Sequence, residues 1–438
     1  MHVLTITPDA PSPATTGLHL RMVENLRFVR EVATRTTLGW IATEDRPDGA
    51  VRLEELAAAQ LADSVVCLGT RRPNDQVRSV RRLRAKLEPL LAPVTKRTAL
   101  APYSVRYDHI RTAAVELARQ RQADVVVVPN TFLHWAPDFR SAGVRVVCDA
   151  ADIVSDLVSR QRRAHPRGRI GDMSLQLNIA ACRAQEKLGF AQVDEIWVTT
   201  PGEAQVLVNR GVRTPTIVIP NCVRPPDRPL SNLVGSHTPR RRLDCSLAPA
   251  IGMLGTYSYE PNLDAARMLV HEVLPKARTQ VPNLECVIAG AGLSDGDHAE
   301  FTERGATVLG PVETIGEFYE RVHITVLPIR TRGGLPLKVV EALAHSVAVV
   351  ATPELIVGTP IRPNRDVLVE DDAFGLADAV VALLHDERLL SLVASTGRRA
   401  YDEHFAPARI LQTLAQHSIV SGSAPTNAAT QYSQENAA

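Results

Sequence analysis

Lysine is nearly missing from this chain: of its 49 lysine and arginine side chains, only Lys86, Lys96, Lys187, Lys276 and Lys338 are lysines. Cysteine is scarce too. The six, at 67, 148, 182, 222, 245 and 286, show no metal-ligand or redox spacing, and most lie in apolar stretches, as reduced buried thiols do. A basic excess is absent as well. Against 48 acidic residues the net charge is +1, which argues against a dedicated nucleic-acid binder. No apolar run approaches the ~20 residues that a membrane-crossing helix needs. The opening MHVLTITPDAPSP meets prolines after a few apolar residues, so it reads as a first strand rather than a signal peptide. The expectation is a cytoplasmic protein.

What the chain has is alternation. At 438 residues it exceeds one ordinary core, and an apolar content of 45% with 22% charged residues is that of a globular protein of two to three domains. Short β-branched runs alternate with longer helical patterns, the mark of βαβ units and parallel sheets. Strands are expected in the first half at 2–6, 64–68, 124–128, 144–148, 195–199 and 216–220. In the second half they are expected at 250–255, 285–290, 306–310, 323–329, 347–352 and 366–369. Between the halves, 224–249 is rich in proline, arginine and polar residues and keeps no helix or strand period, as a linker does. The expected organisation is thus two doubly wound α/β domains, at 1–223 and 250–405. A helix at 406–420 is expected to pack back on the first domain, followed by a polar, disordered tail at 421–438.

The lysine at 338 stands in a telling place, GGLPLKVVEALAHSVAVVATPE (333–354). HITVLPIR before it reads as a buried strand, TRGG as the loop at its carboxyl end, and Pro336 as the first turn of a helix running to about Ser346. Ligands of open α/β sheets sit at such strand ends against helix N-termini. Gly333 and Gly334 let the backbone approach a ligand, and the free N–H groups of the first turn attract anions. Lys338 adds a full charge, and Glu341 follows three residues on along the same face. A phosphate beside Lys338 and a sugar diol beside Glu341 fit a nucleotide. The alternative is an ordinary Lys–Glu helix pair, but a cation in a first turn is unfavourable unless an anion binds there.

These motifs resemble those of the group-1 glycosyltransferases, a retaining family that uses nucleotide-sugar donors. IPNCV (219–223) is similar to the Ile-Pro-Asn-Gly-Val that ends its N-terminal domain. GMLGTYSYEPNLDAARML (252–269) is similar to the opening of its C-terminal domain, and ATVLGPVE (306–313) to the segment that meets the nucleobase. TPDAPSPATTGLHLRMVENL (7–26) is similar to its N-terminal glycine loop. The resemblance implies an α/β GT-B fold, two tandem Rossmann-like domains facing each other across a cleft, with acceptor on the first and donor on the second. It implies no cofactor beyond the nucleotide diphosphate sugar itself, and attack of an acceptor hydroxyl on the leaving-group side with the diphosphate helping to take the proton. The implied donor-binding residues are Gly17, Gly255, Val312, Arg330, Arg332, Gly333, Gly334, Leu335, Lys338 and Glu341.

This chain also departs from the family pattern. The first glutamate of the Glu-x7-Glu motif would stand at 333, which is glycine, so sugar selectivity does not carry over. The Arg/Lys pair that holds the diphosphate in many members is replaced by Tyr257, Ser258, Tyr259 and Glu260. Phosphate charge is left to Lys338, to Arg330 or Arg332, and to loop N–H groups. VVCDAADIVSD (146–156) sets Asp149 and Asp152 where many relatives carry an active-site histidine. With Lys338 they complete the expected catalytic set, Asp152 ahead of Asp149, the alternative for both being helix N-caps. His19 and Arg21 stand in a first turn from which they reach the cleft or solvent. No cluster of Asp, His or Cys has metal-ligand spacing near the donor loop, so no metal is expected.

Two arginine-rich stretches, 71–86 and 159–169, suit a solvated face better than an acidic partner or membrane surface. An apolar stripe at 76–94 lacks an aromatic anchor. Membrane contact is therefore expected to be weak and peripheral, and the acceptor a saccharide or small natural product. The rival functions are nucleotide-sugar epimerisation or hydrolysis on the same fold, and a degenerate, non-catalytic partner subunit.

Overall fold

Runs of valine and isoleucine build two parallel sheets in the computed structural model, which describes residues 1–10, 17–43, 60–71, 108–156, 159, 169–224, 248–330 and 335–424. The chain divides into two units, Met1–Cys222 with Ile410–Ala438, and Val223–Arg409.

In the first unit the strands are β1 (His2–Thr7), β2 (Arg35–Thr43), β3 (Ser64–Arg71), β4 (Val125–Pro129), β5 (Arg145–Ala150), β6 (Glu195–Val198) and β7 (Thr216–Val218). Their order is β3-β2-β1-β4-β5-β6-β7, all parallel. Alternate residues feed opposite faces. Leu4, Ile6, Val126 and Val128 enter one core cluster, while Val3, Val125 and Val127 enter another. Helix α1 (Gly17–Val32) adds Phe28 and Val29 to the second cluster.

Strand β2 was not among the strands expected from the sequence: it opens on the polar Arg35-Thr36-Thr37, and Gly39 interrupts its apolar residues Leu38, Trp40, Ile41 and Ala42. Thr36 and Thr37 are nevertheless buried, since the sheet itself supplies their partners. Thr36 bonds to Asp63 through both N–H and hydroxyl, and Thr37 Oγ1 lies 2.8 Å from both His2 Nε2 and Ser64 Oγ.

The second unit contains β8 (Ala250–Leu254), β9 (Glu285–Ala289), β10 (Ala306–Gly310), β11 (Ile324–Leu327), β12 (Ala348–Ala351) and β13 (Leu368–Val369). Their order is β10-β9-β8-β11-β12-β13, again parallel. Both orders reverse direction beside the unit's first strand, at β1/β4 and at β8/β11. That reversal is the switch point where doubly wound sheets open a crevice.

The chain end returns to the first unit. Helix Pro407–His417 and the 3-10 turn Ile419–Ser421 place Ile410, Leu414, Ile419 and Val420 in the same cluster as Val3, Trp197 and Ile217. Glu195, fully buried, holds this segment by accepting from Ser418 Oγ at 2.5 Å, Ile419 N at 2.9 Å and Trp197 Nε1 at 2.6 Å. Regular structure therefore passes the expected tail boundary at 421. Most of the expected linker (225–247) and most of both arginine-rich stretches lie outside the described residues, as does the apolar stripe at 76–94. Among the described residues no helix is long and apolar enough to cross a membrane.

Candidate functional site

In the second unit the switch point is built from glycines and one lysine. Gly255 follows the last residue of β8, and an added Cβ there would lie 3.1 Å from Lys338 Cε, so the absent side chain leaves the lysine its path. The loop after β9 passes equally close. Gly290 has φ +121°, and a Cβ there would fall 1.9 Å from the Gly255 carbonyl oxygen. Asn262, buried in the helix α2 (Glu260–Met268), donates Nδ2–H to the Thr256 carbonyl at 2.7 Å and pins the loop after β8.

Lys338 itself lies in the first turn of α3 (Leu337–Ala344). Pro336 is the N-cap of this helix rather than part of its first turn, and the helix ends before Ser346, which takes a left-handed φ of +56°. The Lys338 side chain is half-buried, and its ammonium has no hydrogen-bond or ion-pair partner among the described residues. Burial pulls its pKa below the ordinary lysine value, while the charge of Glu341 works against that. Glu341, also half-buried, moves the opposite way. Burial raises its pKa, opposed by Lys338 and by the hydroxyl of Tyr319, which donates to Glu341 Oε2 at 3.2 Å. An unpaired ammonium beside a carboxylate with one uncommitted oxygen can take an anion and a hydroxyl donor together.

Around this pair, Leu335 is buried, Arg330 is exposed beyond the end of β11, and Val312 is half-buried after β10. Gly290 N–H bonds to the Gly310 carbonyl at 2.7 Å, which ties the loop after β9 to the end of β10. Arg332, Gly333 and Gly334 lie outside the described residues. Tyr257 is a core residue, with its hydroxyl donating to the carbonyls of Met253 and Ala289 at 3.0 and 3.1 Å. It does not replace the missing basic pair.

The first unit treats its expected site residues differently. Gly17 opens α1. Asp149, at the end of β5, is not left facing a substrate. It accepts from Arg21 Nε at 2.9 Å and Nη2 at 2.5 Å, and from Asn25 Nδ2 at 2.9 Å, so both carboxylate oxygens are committed. Arg21 is 2% exposed and completes its bonds on the Ile219 carbonyl at 2.7 Å and Asn221 Oδ1 at 3.1 Å. The expectation that Arg21 points to solvent or a cleft is thereby corrected. It braces α1 against β5 and against the IPNCV segment. Asp152 lies just past β5, and its carbonyl accepts from Asn130 Nδ2 at 2.8 Å. Among the described residues no group of three His, Cys, Asp or Glu could hold a metal ion.

Sequence reasoning missed Tyr319 and the roles of Asn262 and Arg21. Their partners are 22, 6 and 128 positions away, at distances no helix or strand period reveals.

Known proteins share this architecture. Residues 248–386 match the family described as Glycosyl transferases group 1. A stretch of 127 residues, 28% of this chain, is 32% identical to an exopolysaccharide phosphotransferase of Streptomyces coelicolor, of whose length it covers only 12%. Among solved structures, HepE of Anabaena, crystallised with UDP, superposes at a TM-score of 0.60 with 15% identity, covering 95% of this chain and 98% of that one. Sucrose-phosphate synthase of Thermosynechococcus elongatus superposes at 0.59 with 15% identity, covering 100% and 99%. At such identities the structures establish a shared fold, the GT-B pairing of two Rossmann-like units. The segment that builds the Lys338–Glu341 site lies within the residues that match this family, the one that the motifs of the sequence resemble.

Proposed function

We propose that the protein is a retaining glycosyltransferase that moves a sugar from a nucleotide diphosphate sugar to a hydroxyl of a saccharide or natural-product acceptor. One observation carries the reading. Lys338 crosses the end of β8 over Gly255 and presents, among the described residues, an ammonium with no ion-pair partner at a helix start, one turn before Glu341. HepE, of the same fold, has been crystallised with UDP and with UDP-glucose, which makes uridine diphosphate sugars the first donors to try.

In this reading Lys338, Arg330 and the N–H groups of the loop and first turn stabilise the charge that grows on the leaving diphosphate. Glu341 accepts from the ribose hydroxyls. The acceptor hydroxyl approaches on the face of the leaving group, and the departing diphosphate takes its proton. Asp152, past the end of β5, is the remaining candidate for contact with donor sugar or acceptor. The charge work is done by side chains and dipoles, so no divalent metal is required.

Nucleoside diphosphate release from a panel of nucleotide sugars, with and without saccharide and natural-product acceptors, tests this. The expected result is release that depends on acceptor, with a product of the same anomeric configuration as the donor. Release that ignores the acceptor, an epimerised donor, or no turnover with any donor would overturn it.

A further inference from the structure

Tyr319 has no role in the transfer described so far, yet its surroundings are built around its hydroxyl. It ends the short helix Ile315–Tyr319 and is 1% exposed. The hydroxyl faces two acceptors, Glu341 Oε2 at 3.2 Å and the Lys338 carbonyl at 3.3 Å. The ring stacks on His345, centroids 4.7 Å apart and planes inclined by 20°. His345 Nδ1 in turn lies 2.8 Å from the Glu341 carbonyl, an acceptor, which assigns the ring proton to Nδ1. A phenylalanine would fill this space equally well. A buried hydroxyl is tolerated only where its bond is made, and here both acceptors within reach of its one proton belong to the two residues of the proposed donor site.

We infer that Tyr319 is a positioning residue for the donor's ribose, holding Glu341 Oε2 so that the carboxylate meets both hydroxyls of a nucleoside diphosphate. The inference rests on the donor-site reading above. A glutamate's last torsion is broad and soft, so an unbraced carboxylate samples many orientations. A carboxylate has about four lone-pair sites. The tyrosine takes one on Oε2, and Oε1 has no partner among the described residues. A vicinal diol supplies two O–H donors, and a carboxylate fixed in rotation can accept both.

Calorimetry decides it, with UDP, GDP and ADP first titrated into the wild-type protein and the tightest binder compared with its 2′,3′-dideoxy counterpart. The wild type is expected to bind the ribonucleotide about tenfold more tightly than the dideoxynucleotide, the scale of one hydrogen bond to a charged group. Tyr319→Phe should lose most of that ratio by weakening the ribonucleotide alone, raise KM for the donor with little change in kcat, and be silent in a Glu341→Ala background. Replacing Tyr319 by para-aminophenylalanine, which keeps an N–H donor in place, should restore the ratio. That variant also serves if the phenylalanine protein does not fold. A ratio unchanged in Tyr319→Phe, or an equal loss for both nucleotides, overturns the positioning role while leaving the donor site standing. A wild type that binds none of the three nucleotides overturns both.

Discussion

Each unit has a cluster of opposite charges at the carboxyl end of a parallel strand, and the two are finished in opposite ways. At the end of β5, Asp149 has its oxygens taken by Arg21 and Asn25, and Arg21 turns its remaining N–H groups to Ile219 and Asn221. At the end of β8, among the described residues, the Lys338 ammonium makes no bond and the Glu341 carboxylate makes one, to Tyr319. Each sets a cation beside a carboxylate. What separates a brace from a binding site is whether the fold itself exhausts the donors and acceptors.

The largest effect should come from breaking the brace. Arg21→Ala removes the buried member of the pair and leaves the half-buried Asp149 carboxylate without its cation, a change that costs up to about 3–5 kcal/mol. Calorimetry should show a melting transition lowered by up to roughly 6–20 °C, at about 2–4 °C per kcal/mol for a unit of this size. An unmoved transition would show that the pair holds nothing. The companion change Asp149→Asn sharpens the contrast, because it should lower stability and leave kcat of the folded protein near parental. A stable but inactive Asp149→Asn protein would return Asp149 to the catalytic set.

Lys338→Ala should behave in reverse. Losing a fixed positive group at the developing diphosphate charge should lower kcat/KM by about 10²–10³-fold. The melting temperature should hold or rise, since the ammonium removed had no partner among the described residues. Parental transfer by purified Lys338→Ala would refute the site.

A smaller effect should appear with pH. Glu341 must be ionised to accept hydroxyls, and burial lifts its pKa above the ordinary 4.5. Lys338 must be protonated to hold phosphate, and burial lowers its pKa below 10.5. Nucleotide affinity should therefore fall on the acid side as pH drops through the raised carboxylate value, and on the alkaline side as pH climbs through the lowered lysine value. The acid limb should vanish in Glu341→Gln and the alkaline limb in Lys338→Ala. Titrations across pH check this, and a limb that survives its own substitution belongs to another group. The smallest expected change is none at all. Excess chelator should leave transfer intact, and loss restored by magnesium would give the metal a part of the work assigned to Lys338.

The contrast also explains what was legible in the sequence. Strand β4 announces itself, because Val125–Val128 is buried on both faces and needs nothing but apolar side chains. Strand β2 stays hidden, because Thr36 and Thr37 become core residues only once Asp63, Ser64 and His2 stand beside them. The same holds at the sites. Lys338 and Glu341 could be read together because a helix start and its first turn are local, and glycines before them are a local signal too. Whether Asp149 is free depends on Arg21, which lies 128 residues earlier, and no spacing rule connects them. Local chemistry was readable, while pairing across the sheet had to be seen.

The return of the chain end to the first unit has a consequence for synthesis. Val223–Arg409 is in effect an insertion, since Ile410, Leu414, Ile419 and Val420 belong to the core of the unit that begins at Met1. A ribosome adding about 5–20 residues per second needs roughly 10–40 s to make that insertion. For all of that time the part of the first sheet's face that Ile410, Leu414, Ile419 and Val420 cover stays open, and Glu195 waits without Ser418 and Ile419. The second unit can close on itself before the unit that precedes it. The nascent chain thus leaves part of an apolar sheet face open until the helix Pro407–His417 clears the exit tunnel, and there a holding chaperone has its longest opportunity to bind.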